Sequence, residues 1–293
     1  MMMMKKYLIL GLMVLLALPA LAFTGSAFFM ARADAKAVTA PKIEGIFWQV
    51  DQMSHASGNW HLLGIDTLVT QWSIVDGRSF FKEIPRAQWQ HQPDWNTITE
   101  QPWSKQVILG LAGIFQEPVA RENIDQLFLQ SQQIIKTSLP VQPAAYYFPV
   151  EADPSWHGVA NLARYVAEFQ RPIWVSIYSA DRKSRFLHYW LESWLPDNAQ
   201  VFFQDGVGVG TRSPEEAAVI YQNLKHQVGD KRVVIILEAF RPKPGGGFRA
   251  AYPWEIAKQL KAYAGERVYI FDGPHYLNKA SVLWLYLWMK INY

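Results

Sequence analysis

The stretch Arg232-Val-Val-Ile-Ile-Leu-Glu238 decides the fold. Its apolar residues run without alternation and end on an acid. A strand with one wet face alternates apolar and polar residues, so an unbroken run marks a strand covered on both faces, as in a parallel sheet. Seven more stretches read the same way: Ile43–Gln49, Ile65–Trp72, Gln106–Gly113, Ala144–Val150, Pro172–Tyr178, Ala199–Gln204 and Arg267–Phe271. With Arg232–Leu237 they make eight strands.

Helical segments fall between them. Arg121–Ser138 carries an apolar stripe at Ile124, Leu127, Phe128, Ile134 and Ile135. Trp156–Phe169, Ser184–Leu195, Pro253–Ala264 and Asn278–Lys290 follow. Ser213-Pro-Glu-Glu216 starts another, with Ser as cap, Pro at the first position and acids in the first turn, and that helix runs to about Val228. Eight strands alternating with helices predict a single (β/α)8 TIM barrel over residues 36–293, with no internal repeat or linker to divide it. The competing open doubly wound sheet calls for a glycine-rich turn after its first strand. Val50-Asp-Gln-Met-Ser54 stands there instead.

Residues 1–35 read as a signal peptide or anchor. Lys5 and Lys6 precede an apolar run from Tyr7 to Phe23, and small residues follow at 20–22 and 33–35. Export to the periplasm or beyond is expected, with inner-membrane attachment if the signal is retained. The chain has no cysteine, so its core alone must stabilise it. Half of its residues are apolar and 18% are charged, which argues against disorder. The net charge of +3 is scattered, with no basic stripe for nucleic acid.

Chemistry in a barrel of this kind gathers where the strands end. Strand one ends in Trp48-Gln49, strand two in Gln71-Trp72, strand five in Tyr178, and strand six in Gln204-Asp205. Strand four gives Glu151, strand seven Glu238 with Phe240 beyond, and strand eight Asp272. Glu151 and Glu238 each follow an apolar run directly. A pair of carboxyls is the minimum machinery for cleaving a glycosidic bond: one donates a proton, the other stays ionised. Glu151 is expected as general acid/base and Glu238 as nucleophile. Trp48 and Trp72 are expected to stack on sugar rings. Gln49, Gln71, Tyr178, Gln204, Asp205, Phe240 and Asp272 complete the expected substrate-binding set, and Trp89, Trp95 and Trp103 would extend the cleft.

No metal or cofactor is expected. The seven histidines form no His-x-His at the first strand and no His-Glu-x-x-His. Gly206-Val-Gly-Val-Gly210 lacks the spacing and lysine of a phosphate loop, and Gly-x-Ser-x-Gly is absent.

Gly45-Ile-Phe-Trp-Gln49, Gly64-Ile-Asp-Thr-Leu-Val-Thr-Gln-Trp72, Tyr147-Phe-Pro-Val-Glu151, Gln204-Asp-Gly-Val-Gly-Val209 and Glu238-Ala-Phe240 together resemble the DUF4434 family of exported barrel proteins. The resemblance spans the barrel region and implies a glycoside-hydrolase-like protein whose mouth acids are Glu151, Asp205 and Glu238. In the largest clan of retaining barrel glycosidases the strand-four acid follows an Asn, where Val150 stands here. The expected function is hydrolysis of an envelope or extracellular polysaccharide. The alternative is a non-catalytic glycan-binding accessory protein of polysaccharide assembly or export.

Overall fold

A computed structural model describes residues 39–293. The expected leader, residues 1–35, lies outside the described residues. Eight parallel strands close into a barrel in chain order: β1 (Lys42–Trp48), β2 (Thr67–Thr70), β3 (Gln106–Gly110), β4 (Ala145–Tyr147), β5 (Ile173–Ile177), β6 (Ala199–Gln204), β7 (Val233–Glu238) and β8 (Arg267–Phe271). Strand β8 pairs with β1 to complete the ring. With helices between the strands, this is the (β/α)8 barrel that the unbroken apolar runs predict.

Side chains alternate along each strand between the barrel interior and the helix layer. Phe47, Tyr147, Trp174, Phe202, Ile236 and Tyr269 fill the interior. Their rings interlock, with Phe47 and Phe202 4.9 Å apart edge to face, and Trp174 stacked on Phe202 at 4.2 Å. Ile46, Trp48, Leu68, Phe203, Ile235 and Ile270 face the helices and form the larger core. Both faces of every strand are therefore apolar, which is why the sequence shows runs rather than alternation.

The helix Pro214–Val228 starts as its sequence dictates. Ser213 accepts the Glu216 N–H, and the Glu216 carboxylate accepts the Ser213 N–H in return. The helix expected over Arg121–Ser138 is two helices, Glu117–Glu122 and Ile124–Lys136. Pro118 favours the earlier start, and Asn123 leaves helical geometry between them. The Gly245–Gly247 segment, which reads as a loose surface loop, is the turn of a small hairpin joining Phe240–Pro242 to Phe248–Ala250. All three glycines have positive φ, a conformation that side chains disfavour. The last helix, Lys279–Asn292, buries Ser281, Val282 and Leu285. Among the described residues no helix is long and apolar enough to cross a membrane.

Candidate functional site

Where the strands end, a cavity of about 240 Å³ opens over the aromatic interior. Phe47, Gln49, Gln71, Tyr147, Pro149, Glu151, Ser176, Gln204, Ile236, Glu238 and Phe271 line it from the strands and their ends. Each falls on the inward parity of its strand. Phe115, Glu117 and Phe240 line it from the segments beyond. The two glutamates singled out by the sequence thus share one cavity, along with Gln49, Gln71, Gln204 and Phe240.

Glu238 ends β7 and is almost wholly buried. Its Oε2 accepts the N–H groups of Gly208, at 2.7 Å, and Val209, at 3.2 Å. Gly208 is required for this approach, because a Cβ there would lie 2.5 Å from the Glu238 Cβ. Oε1 takes no hydrogen bond from the described residues, and it is not among the enclosed atoms that lack a partner, so it faces the cavity. Burial first, and the neighbouring Asp205 second, push the Glu238 carboxyl up to about 8.

Asp205 does not reach the cavity. It follows Gln204 by one residue and so points outward, fully buried. Its carboxylate accepts from the Val207 N–H at 3.0 Å, the Gln259 amide at 2.7 Å and the Tyr263 hydroxyl at 2.8 Å. Burial raises Asp205 as well. Its three donors favour the charged form, so the proton of the pair resides on Glu238.

Glu151 lies past the end of β4, and its Oε2 accepts the Gln204 amide. Burial raises its carboxyl, while the Gln204 donor and the Arg121 charge pull the other way. Its backbone is clamped on both sides. The Glu151 N–H donates to Glu117 Oε1 at 2.6 Å, and Arg121 Nε donates to the Glu151 carbonyl at 2.9 Å. Arg121 also pairs with Asp153 at 2.6 Å and lies over the Trp156 ring. Burial and the Glu151 charge push Glu117 up to about 8.

The remaining expected residues lie elsewhere, and alternation explains most of them. Trp48 sits one position before inward Gln49 and packs outward on Trp95, its Nε1 donating to Ser54 Oγ at 2.9 Å. Trp72, one past inward Gln71, donates from Nε1 to the Val50 carbonyl at 2.7 Å. Both belong to the core between barrel and helices. Asp272, one past inward Phe271, is buried and accepts the Gln49 N–H at 3.0 Å and the His275 Nδ1 hydrogen at 2.7 Å. Two aspartates, Asp272 foremost, push His275 up to about 9. The Tyr178 hydroxyl is 2.6 Å from Thr211 Oγ1, away from the lining. Trp95 stacks on Phe81 at 4.3 Å and Trp103 meets Trp60 edge-on at 4.7 Å, so neither extends the cleft. Sequence reading places Glu117 and Ser176 at the ends of strands three and five without assigning them to the site, and it passes over Phe47, Tyr147 and Phe271. Inward parity, counted back from Gln49, Glu151 and Tyr178, and back from the outward Asp272, finds all of these except Glu117.

No family model and no curated protein matches the chain. A solved structure from Bacteroides thetaiotaomicron VPI-5482, described as a "putative alpha-L-fucosidase", superposes over 87% of this chain and 94% of its own with a TM-score of 0.57 and 13% identity. At that identity the likeness is one of fold alone, a TIM barrel.

Proposed function

We propose that the protein is a glycoside hydrolase acting on an envelope or extracellular polysaccharide, with Glu151 and Glu238 as the reacting pair. The observation that carries this is two carboxyls, one past the end of β4 and one at the end of β7, facing one aromatic cavity with different neighbours. Glu238 has a buried aspartate behind it and keeps its proton at neutral pH. Glu151 has an amide donor and a guanidinium beside it, which favour its charge. On those neighbours we assign Glu238 as the acid that protonates the leaving oxygen and Glu151, whose donor and guanidinium oppose the rise that burial causes, as the ionised partner. This assignment reverses the roles expected from strand position alone. The ionised carboxylate attacks the anomeric carbon or activates water against it. Gln49, Gln71 and Gln204 are placed to bind hydroxyls, and Phe47, Phe240 and Phe271 to meet the C–H faces of a ring.

The DUF4434 resemblance and the fold of the fucosidase-described neighbour agree with a carbohydrate substrate. The basic and apolar start of the chain adds export from the cytoplasm, which fractionation of cells and N-terminal sequencing of the recovered protein would test.

Hydrolysis of a panel of polysaccharides and aryl glycosides, α-L-fucosides included, tests the activity. Glu151→Gln and Glu238→Gln should each lower turnover about 1,000-fold with the fold intact. An aryl glycoside whose leaving group needs no protonation should restore turnover to Glu238→Gln and leave Glu151→Gln inactive. Recovery by Glu151→Gln alone reverses the roles. Unchanged hydrolysis in either variant removes that residue from the reaction. Glycan binding by the wild type without product supports the non-catalytic reading instead.

A further inference from the structure

The charge balance of the cavity is one-sided. Three carboxyls line it, Glu117, Glu151 and Glu238, and no Lys, Arg or His does. The nearest guanidiniums spend their donors elsewhere. Arg121 serves Asp153, Glu117 and the Glu151 carbonyl. Arg241 serves the Glu238 and Phe240 carbonyls and Gln259. Arg212 donates to the Ser179 and Asp181 carbonyls, and its remaining nitrogens are enclosed.

Glycosidic cleavage needs two carboxyls. Glu117 is a third, and only one of its oxygens is engaged: Oε1 takes the Glu151 N–H at 2.6 Å and lies 3.5 Å from Arg121. Oε2 takes no hydrogen bond from the described residues. Oε1 of the buried Glu238 is open to the same space. Two carboxyl oxygens without partners therefore meet a cavity that holds no positive charge.

Resting on the glycosidase reading, we propose that the sugar seated in this cavity is cationic, a hexosamine with a free amino group, and that Glu117 receives its ammonium. An anionic sugar would bury its charge against three carboxyls with no cation to offset the loss of hydration. A neutral sugar leaves the free Glu117 oxygen without a charged partner. An ammonium supplies the missing charge, and a charge-assisted hydrogen bond is about twice as strong as a neutral one. Burial and Glu151 hold the Glu117 carboxyl up, Arg121 compensates only in part, and a bound ammonium would bring it back down. The charged groups facing Glu117 are Glu151, Arg121 and, through Arg121, Asp153, with the Tyr147 phenol nearby. At about 240 Å³ the cavity is smaller than a typical small-molecule pocket of roughly 300–1,000 Å³, consistent with one ring at a time.

Titration calorimetry of the full chain with glucosamine and galactosamine oligomers, their N-acetylated counterparts and uronic acid oligomers tests this. Free-amine oligomers should bind about ten-fold more tightly than N-acetylated ones at pH 7. They should also release protons, read from the buffer dependence of the heat, as Glu117 ionises. Glu117→Gln keeps an oxygen for the Glu151 N–H, and it should bring the ratio of the two affinities close to one. General loosening of Glu151 would weaken both oligomers alike and leave the ratio unchanged, which overturns the proposal. Equal or tighter binding of N-acetylated or uronic acid oligomers overturns it too. If neutral or N-acetylated glycans are hydrolysed with no preference for the amine, this inference falls and the glycosidase reading stands. If no glycan of any class binds, both fall.

Discussion

The barrel has a cavity at each end, and the two lie on either side of the same aromatic interior. At the strand starts, a cavity of about 400 Å³ is bordered by Lys42, Glu44, Asp66, Gln106, Trp174, Arg267 and Tyr269. Three of its four charges are paired, Glu44 lying 2.7 Å from Lys42 and 2.8 Å from Arg267, while Asp66 accepts the Thr67 hydroxyl at 2.9 Å. At the strand ends the cavity is smaller, and its three carboxyls have no lining base. The larger cavity mixes acids with bases, and the smaller one is lined by acids alone. Volume therefore does not mark the proposed site. Unpaired carboxyls do, because an environment that makes a carboxyl costly to ionise is also one that makes it a proton donor at neutral pH.

The comparison breaks most sharply at Gly208. Gly208→Ala puts a methyl group on the Glu238 side chain and displaces the two N–H donors. Turnover should fall about 100-fold while circular dichroism stays native. A fully active variant would mean that the backbone donors do not position Glu238.

The second test is the pH dependence of stability. Burial holds the Glu238 and Glu117 carboxyls up to about 8 in the folded chain, above the ordinary 4.5 of a glutamate. Above pH 4.5 the unfolded chain binds fewer protons at these sites than the folded one. Stability contributed by protonated carboxyls is therefore present at low pH and falls as pH rises from about 4.5 to about 8. Glu238→Gln, which cannot ionise, should be more stable than wild type at pH 8 by about 4 kcal/mol, and the gain should vanish near pH 4. A gain independent of pH in chemical denaturation would rule out ionisation as its cause.

Next comes the inside-against-outside distinction at one strand end. Trp48→Phe should cost about 1–2 kcal/mol of stability through lost packing and the lost Ser54 hydrogen bond. It should leave KM unchanged, because the ring faces the helices. A raised KM would return Trp48 to the sugar site. The smallest effect belongs to the strand starts. Glu44→Gln should cost about 1 kcal/mol, with turnover as in the wild type. A larger loss of turnover would give the strand-start cavity a role in the reaction.

Most of the fold was legible because its signals are local. Arg and Lys open several strands, and Gln or an acid closes them, so β6 and β8 match their sequence-based bounds. Ser213-Pro214 marks a helix start by itself. The site was legible only to within one residue. Trp48-Gln49, Gln71-Trp72 and Gln204-Asp205 each put one side chain into the cavity and one behind it. Composition does not distinguish the members of such a pair, and the aromatic or charged one attracts attention whether or not it faces the cavity. Alternation distinguishes them once a single inward residue is known. Glu117 follows no strand directly and enters the cavity from a short helix, so neither composition nor alternation finds it.

Asp205 faces away from the substrate space, and the groups that hold its charge come from the helix Pro253–Ala262 and its C-cap, through Gln259 and Tyr263. The acidity of Glu238 is thereby governed from a layer that no ligand touches. A substitution at Gln259 or Tyr263 would shift the pH at which Glu238 ionises and leave the lining of the cavity unaltered. The barrel wall thus separates two kinds of adaptation: choice of substrate on its inner side, and choice of working conditions on its outer side.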